Sequence, residues 1–236
     1  MAPQAVDSKS STGGESDIVL IPSLALGDAS WAPLGRLITD RSCRTVDLPG
    51  HGGQRDLRFT LEAAVDLALD SLAPSDSVHL VGCGAGAMIA EEVARRRPVS
   101  SLTLISWPPA DTGASMSERA RAAEESLASD PQRFLAGYRK SLTSRATPPP
   151  LDLRPAAFAE ALHAAARWRP RKEPPADLVT IVVGGADTRT SQEGAQALAT
   201  LWGGAMRVIP DAGHVVYWDA PEALARLLTN KSHDAI

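Results

Sequence analysis

Cysteine is scarce in this chain: Cys43 and Cys83 are the only two among 236 residues. Two thiols cannot make a disulfide framework, and their spacing is not that of metal ligands, so no metal site is expected. Long apolar runs are missing as well, none approaching the roughly 18 residues that a membrane-spanning helix needs. Nor does one sign of charge dominate. With 24 basic against 28 acidic side chains the formal net charge is −4, which gives no electrostatic reason to expect nucleic acid or an anionic membrane as partner. The first sixteen residues, MAPQAVDSKSSTGGES, lack the apolar core of a secretory signal, and the expectation for 1–16 is a disordered leader. A cytoplasmic, reducing compartment follows as the default. What remains is ordinary for a globular protein, with 44% hydrophobic and 22% charged residues, in a length that suits one α/β domain carrying an insertion.

From Asp17 onward, short apolar runs alternate with helical periods. The runs at 17–21, 44–47, 77–81, 102–105, 178–183 and 205–209 predict strands covered on both faces. The period at 59–72 places Leu61, Val65, Ala68 and Leu72 on one stripe. A second helix is predicted at 86–97, with Ile89 and Val93 on a common face, and others at 191–201 and 221–228, the last opening on a proline. Strand and helix alternating in this way imply an α/β fold with a mostly parallel, doubly wound sheet. Residues 107–175 break the alternation. Three helical patterns (116–129, 131–144 and 155–168) stand there without a strand, punctuated by prolines, and predict a helical lid inserted into a core of 17–106 and 176–230. The insertion holds eleven basic and eight acidic side chains. Its Arg167–Lys172 run reads as a solvated helix end. Its aromatics Trp107, Phe134, Tyr138 and Trp168, with Trp31 and Trp218 from the core, suggest either an apolar pocket wall or plain packing. No internal repeat is present.

The segment HLVGCGAGAMIAEEVA runs strand, glycine turn, helix. Gly82, Gly84 and Gly86 have the spacing of a nucleophile elbow, where small residues let a strained turn pass between strand and helix. A dinucleotide-binding turn fits less well, because its third small residue comes one place early and the turn follows the third strand, not the first. No cofactor is therefore expected.

Five pieces in order, IVLIPSLALGDASWAPL, VDLPGHGGQ, the elbow, VVGGADTRTS and PDAGHVVYWDAPEALARLL, resemble the α/β-hydrolase superfamily from Asp17 to Leu228 outside the lid. The resemblance implies the α/β-hydrolase fold and a chain order of nucleophile, acid and histidine. It puts Asp187 at the acid and His214 at the histidine. It puts the backbone N–H groups of Leu24 and Ala85 at the oxyanion hole. The sequence departs from the pattern at the elbow apex, the nucleophile position, where Gly84 has no side chain to form an acyl-enzyme. It departs again at Pro22-Ser23, where the family usually has His-Gly.

Cys83 precedes the apex and reads as a small buried thiol rather than a replacement nucleophile. His51 matches a structural turn residue, His79 is expected to pack inside a strand, and His163 and His233 carry no motif. The resulting expectation is an enzyme acting on a small carbonyl substrate without covalent catalysis. The Asp187–His214 pair would serve as general base for elimination, cyclisation, isomerisation, decarboxylation or direct attack by water. Two alternatives stay open: a non-catalytic ligand-binding relative, and a serine hydrolase whose nucleophile has been replaced by glycine in this sequence. Oligomeric state is not legible.

Overall fold

The apolar runs form strands because they can bury both faces only between helices, and the chain alternates accordingly. The structure, a computed structural model, describes residues 17–72, 78–109, 115–169 and 171–229. The expected leader over 1–16 and His233 lie outside the described residues. In chain order the elements are β1 (Asp17–Ile21), α1 (Ala32–Gly35), β2 (Cys43–Thr45), α2 (Leu61–Ser71), β3 (Val78–Cys83), α3 (Ala85–Arg96) and β4 (Ser101–Ile105). They continue with α4 (Met116–Ser129), α5 (Pro131–Lys140), α6 (Pro155–Ala165), β5 (Val179–Gly184), α7 (Gln192–Leu201), β6 (Ala205–Ile209), α8 (Val216–Asp219) and α9 (Pro221–Thr229).

The six strands make one sheet in the order β2-β1-β3-β4-β5-β6, and every pairing is parallel. This is the α/β-hydrolase type of fold that the five motifs implied. The chain leaves β1 toward β2, then returns across it to β3, so the order reverses between β1 and β3. Open parallel sheets bind ligands at such a switch point, outside the carboxyl ends of the strands. Here those ends are the loops beginning at Pro22 and at Gly84.

Four strands are buried along nearly their whole length, as expected, but β2 and β6 are not. They are the sheet's two edges, and Arg44, Thr45, Arg207 and Val208 face solvent there. Helix ends differ from the sequence reading by a few residues, and α1 and α8, one turn each, had no period to betray them. The three helices predicted between β4 and β5 are present as α4, α5 and α6. A capping box starts α4, where Ser115 Oγ accepts from the Glu118 N–H at 3.3 Å and Glu118 Oε2 accepts from the Ser115 N–H at 2.7 Å.

α3 is pinned to the chain beyond α6 by a buried carboxylate. Glu91, fully buried, accepts from Arg95 Nε and Nη2 at 3.1 and 3.0 Å and from Trp168 Nε1 at 2.7 Å. Burial pushes its pKa up, against the pull of those donors. Arg171, in the basic run, forms an ion pair with Glu92 at 2.9 Å.

Candidate active site

The elbow is a consequence of three glycines. A side chain at Gly82 would run into the carbonyl of Gly86, and one at Gly86 into the carbonyl of Ile21. Strand β3 and helix α3 can therefore pass this closely only without Cβ atoms. Gly84 between them takes φ 55°, ψ −117°, a left-handed conformation that favours glycine. The Gly84 N–H is held by the carbonyl of Ile105 at 2.9 Å.

His214 and Asp187, 27 residues apart in sequence, meet beside this turn. His214 sits in the loop after β6 and Asp187 in the loop after β5. His214 Nδ1 lies 3.0 Å from Asp187 Oδ2, so Nδ1–H donates to the carboxylate and the Nε2 lone pair is left free. A Cβ placed on Gly84 would stand 3.1 Å from that Nε2. Both residues are buried. The carboxylate is further fixed by the Thr190 hydroxyl at 2.5 Å and the Arg189 N–H at 2.8 Å. Burial pushes the Asp187 carboxyl up, but the His214 bond and charge and these two donors outweigh it and hold its pKa at about 2. Burial lowers the His214 pKa, against the hydrogen bond and charge of Asp187, and the cations Arg189 and Arg119 lower it further. The imidazole is thereby kept in its neutral, proton-accepting form.

Two backbone loops complete the site. The N–H groups of Leu24, after β1, and Ala85, at the start of α3, have no acceptor among the described residues. Leu24, Gly84, Ala85 and His214 line one cavity of about 60 Å³, with Trp107, Tyr138, Arg119 and Arg189 among its other walls. Beside it, sharing Arg119, Tyr138, Leu162 and Arg189, a cleft of about 870 Å³ runs between α4, α5 and α6. Among the described residues no group of three His, Cys, Asp or Glu side chains could hold a metal ion. No helix among them is long and apolar enough to cross a membrane.

The other candidates fall into place around this centre. The Cys83 thiol donates to the carbonyl of His214 at 3.6 Å and is fully buried, with its pKa raised mainly by that burial. Its role is packing, and Cys83→Ala is expected to keep activity within a few-fold. A loss of a hundredfold in a folded variant, read by steady-state rates beside circular dichroism, would contradict this. His51 accepts the Ala25 N–H at Nε2 (3.0 Å), which braces the loop after β1. His79 bonds Thr103 across β3 and β4 at 2.8 Å, and His163 meets Glu124 on the surface at 3.0 Å. Of the six aromatics suggested as pocket wall, Trp107, Tyr138 and Phe134 line the cavity or the cleft. Trp31 does not: it is buried and stacked on Tyr217 with ring centroids 3.5 Å apart. Trp168 stands edge-on against Trp107 and lines a neighbouring pocket with it, whereas Trp218 donates its indole N–H to the Thr147 carbonyl at 2.8 Å and lines neither the cavity nor the cleft.

Sequence reasoning missed the braces. The Ser106 hydroxyl donates to the His214 carbonyl at 2.6 Å. The Asp219 carboxylate accepts from the N–H groups of Gly213 (2.7 Å), Ser144 (2.7 Å) and Ala146 (2.9 Å), tying the histidine loop to the segment after α5. Thr190 had the one legible signal, a hydroxyl three residues past an aspartate in a turn.

The sequence pattern of the alpha/beta hydrolase family matches residues 18–227. The chain belongs to this family. As an alpha/beta hydrolase it is 32% identical to the pimeloyl-[acyl-carrier protein] methyl ester esterase of Methylococcus capsulatus, over 92% of this chain and 94% of that one. In structure this alpha/beta hydrolase is similar to a thermophilic esterase from Thermogutta terrifontis, with TM-score 0.73 and 21% identity over 92% of this chain and 89% of the other. It is similar also to E-2-(acetamidomethylene)succinate hydrolase, with TM-score 0.71 and 21% identity over 92% and 91% of the two chains.

Proposed function

We propose that this alpha/beta hydrolase cleaves a carboxylic ester, with His214 as general base and Asp187 as the group that orients it. The observation that carries the reading is the aim of the imidazole: Nδ1 is tied to Asp187 while Nε2 faces the empty position above Gly84. A binder has no use for a neutral, oriented imidazole at that point, whereas a base needs one. The two unused N–H groups of Leu24 and Ala85 suit an oxyanion that forms only during reaction. The kinship with a methyl ester esterase supports an ester as substrate. A cavity of about 60 Å³ has room for the reacting carbonyl and little else. The rest of the substrate then lies in the cleft under α4, α5 and α6, which act as the lid that sets access. Residue 84 brings no nucleophile of its own, so the O–H that His214 deprotonates comes from another source.

The pH–rate profile tests the assignment. A base works only unprotonated, and burial holds the His214 pKa below the ordinary 6.5. Activity on p-nitrophenyl butyrate is therefore expected to rise with pH through an inflection below 6.5 and to stay level above it. Arg189→Gln removes a cation facing the imidazole and moves that inflection upward. An acid limb that is absent, or unmoved in both Arg189→Gln and Asp187→Asn, would contradict the role given to His214.

A further inference from the structure

Three hydroxyls line the cavity beside Gly84, and two of them are committed. Ser106 donates to the His214 carbonyl at 2.6 Å and Tyr138 donates to the Leu24 carbonyl at 3.1 Å. Ser23 is the third. It is 1% exposed, yet its Oγ makes no well-formed hydrogen bond among the described residues and meets only the Cys83 thiol and the Tyr138 hydroxyl, in weak polar contacts. A buried hydroxyl held by weak contacts alone recovers little of the hydration it has lost, and such groups ask for a functional explanation.

Its position supplies one. The point at which a Cβ of residue 84 would stand is 2.8 Å from Ser23 Oγ and 3.1 Å from His214 Nε2. Hydroxyl and base thus face the same small space from two sides, across a residue that contributes no atoms to it. Ser23 Cβ stands 3.6 Å from the same point, so the hydroxyl is the nearer end of this side chain. The residue that follows it, Leu24, carries one of the two uncommitted N–H groups, and Ala85 opposite carries the other. Nucleophile type, base and anion donors therefore converge from the two loops that flank the sheet's switch point.

We propose that Ser23 is the nucleophile of this site, an inference that rests on the reading of His214 as base for ester cleavage. Ser23 Oγ bonds to the ester carbonyl carbon while its proton passes to His214 Nε2 and the carbonyl π electrons move onto oxygen, where the Leu24 and Ala85 N–H groups receive the charge. The carbonyl re-forms as the bond to the alcohol oxygen breaks, and that oxygen takes the proton from His214. Water then attacks the acyl-Ser23 ester, giving its proton to His214. The bond to Ser23 breaks, and Oγ recovers the proton. The sum is ester plus water to acid plus alcohol, with no other reactant.

Covalent labelling by a fluorophosphonate, located by peptide mass spectrometry, tests this beside turnover of p-nitrophenyl butyrate. Wild type is expected to carry one adduct, on the peptide holding Ser23. Ser23→Ala is expected to lose the adduct and to fall in kcat/KM by a hundredfold or more with unchanged circular dichroism. In the double variant Ser23→Gly with Gly84→Ser, the adduct is expected to move to residue 84. That change relocates the hydroxyl across the site and relieves the contact at 2.8 Å, so it also guards against a fold defect in either single change. If Ser23→Ala turns over within a few-fold of wild type while His214→Ala does not, Ser23 is no nucleophile, water is attacked directly, and the general-base reading stands. If neither substitution lowers turnover, or wild type neither labels nor turns over, both readings fall.

Discussion

His214→Ala is expected to lower kcat/KM for an ester by about 10²- to 10⁴-fold, the usual contribution of a positioned general base. The loss should sit in kcat, because the imidazole meets the proton of the attacking group and not the bulk of the substrate. Asp187→Asn should cost less in rate while leaving the fold intact. The amide keeps the shape, and the Thr190 and Arg189 contacts to it survive in part, but it no longer stabilises the imidazolium that forms when the proton is taken up. Stopped assays at fixed pH above 7 isolate the effect from the acid limb. A His214→Ala variant that keeps full activity would leave the pair as a structural brace alone.

The second large effect is on stability and lies away from the reacting atoms. Glu91→Ala is expected to destabilise the protein by about 3–5 kcal/mol, because it leaves the nearly buried Arg95 guanidinium and the Trp168 indole N–H without their carboxylate. Glu91→Gln, which keeps an acceptor oxygen for Trp168, should lose less. Trp168 also stands against Trp107 in the cavity wall, with centroids 4.8 Å apart, so residual activity of Glu91→Gln should fall with a raised KM. Urea unfolding with a free slope measures both variants. A loss under about 1 kcal/mol in Glu91→Ala would mean that the surroundings relax enough to hydrate Arg95.

What the sequence discloses follows from the range of the forces involved. Strands β1, β3, β4 and β5 were legible because a strand covered on both faces has to be apolar throughout. The elbow was legible because close passage of backbone demands glycine at Gly82 and Gly86. Asp187 and His214 were placed through resemblance to a family pattern, and the fold then brings them to 3.0 Å. Glu91 looked like any charge on a helix, since its partner Trp168 lies 77 residues further on in a segment read only as lid. Ser23 looked like a loop residue, because only the return of the chain from β2 across β1 to β3 sets it opposite Gly84. Trp31, suggested for the pocket, instead fills the core against Tyr217, a contact that no local pattern announces.

Ester turnover by the unaltered chain, measured beside Gly84→Ser, shows whether the site works without a side chain at position 84. Wild type is expected to hydrolyse p-nitrophenyl butyrate at a rate that His214→Ala lowers by about 10²- to 10⁴-fold, since base, anion donors and cavity are assembled without a side chain at position 84. Turnover that appears only when serine is placed at 84 would contradict it, and would show a site whose machinery is intact but idle.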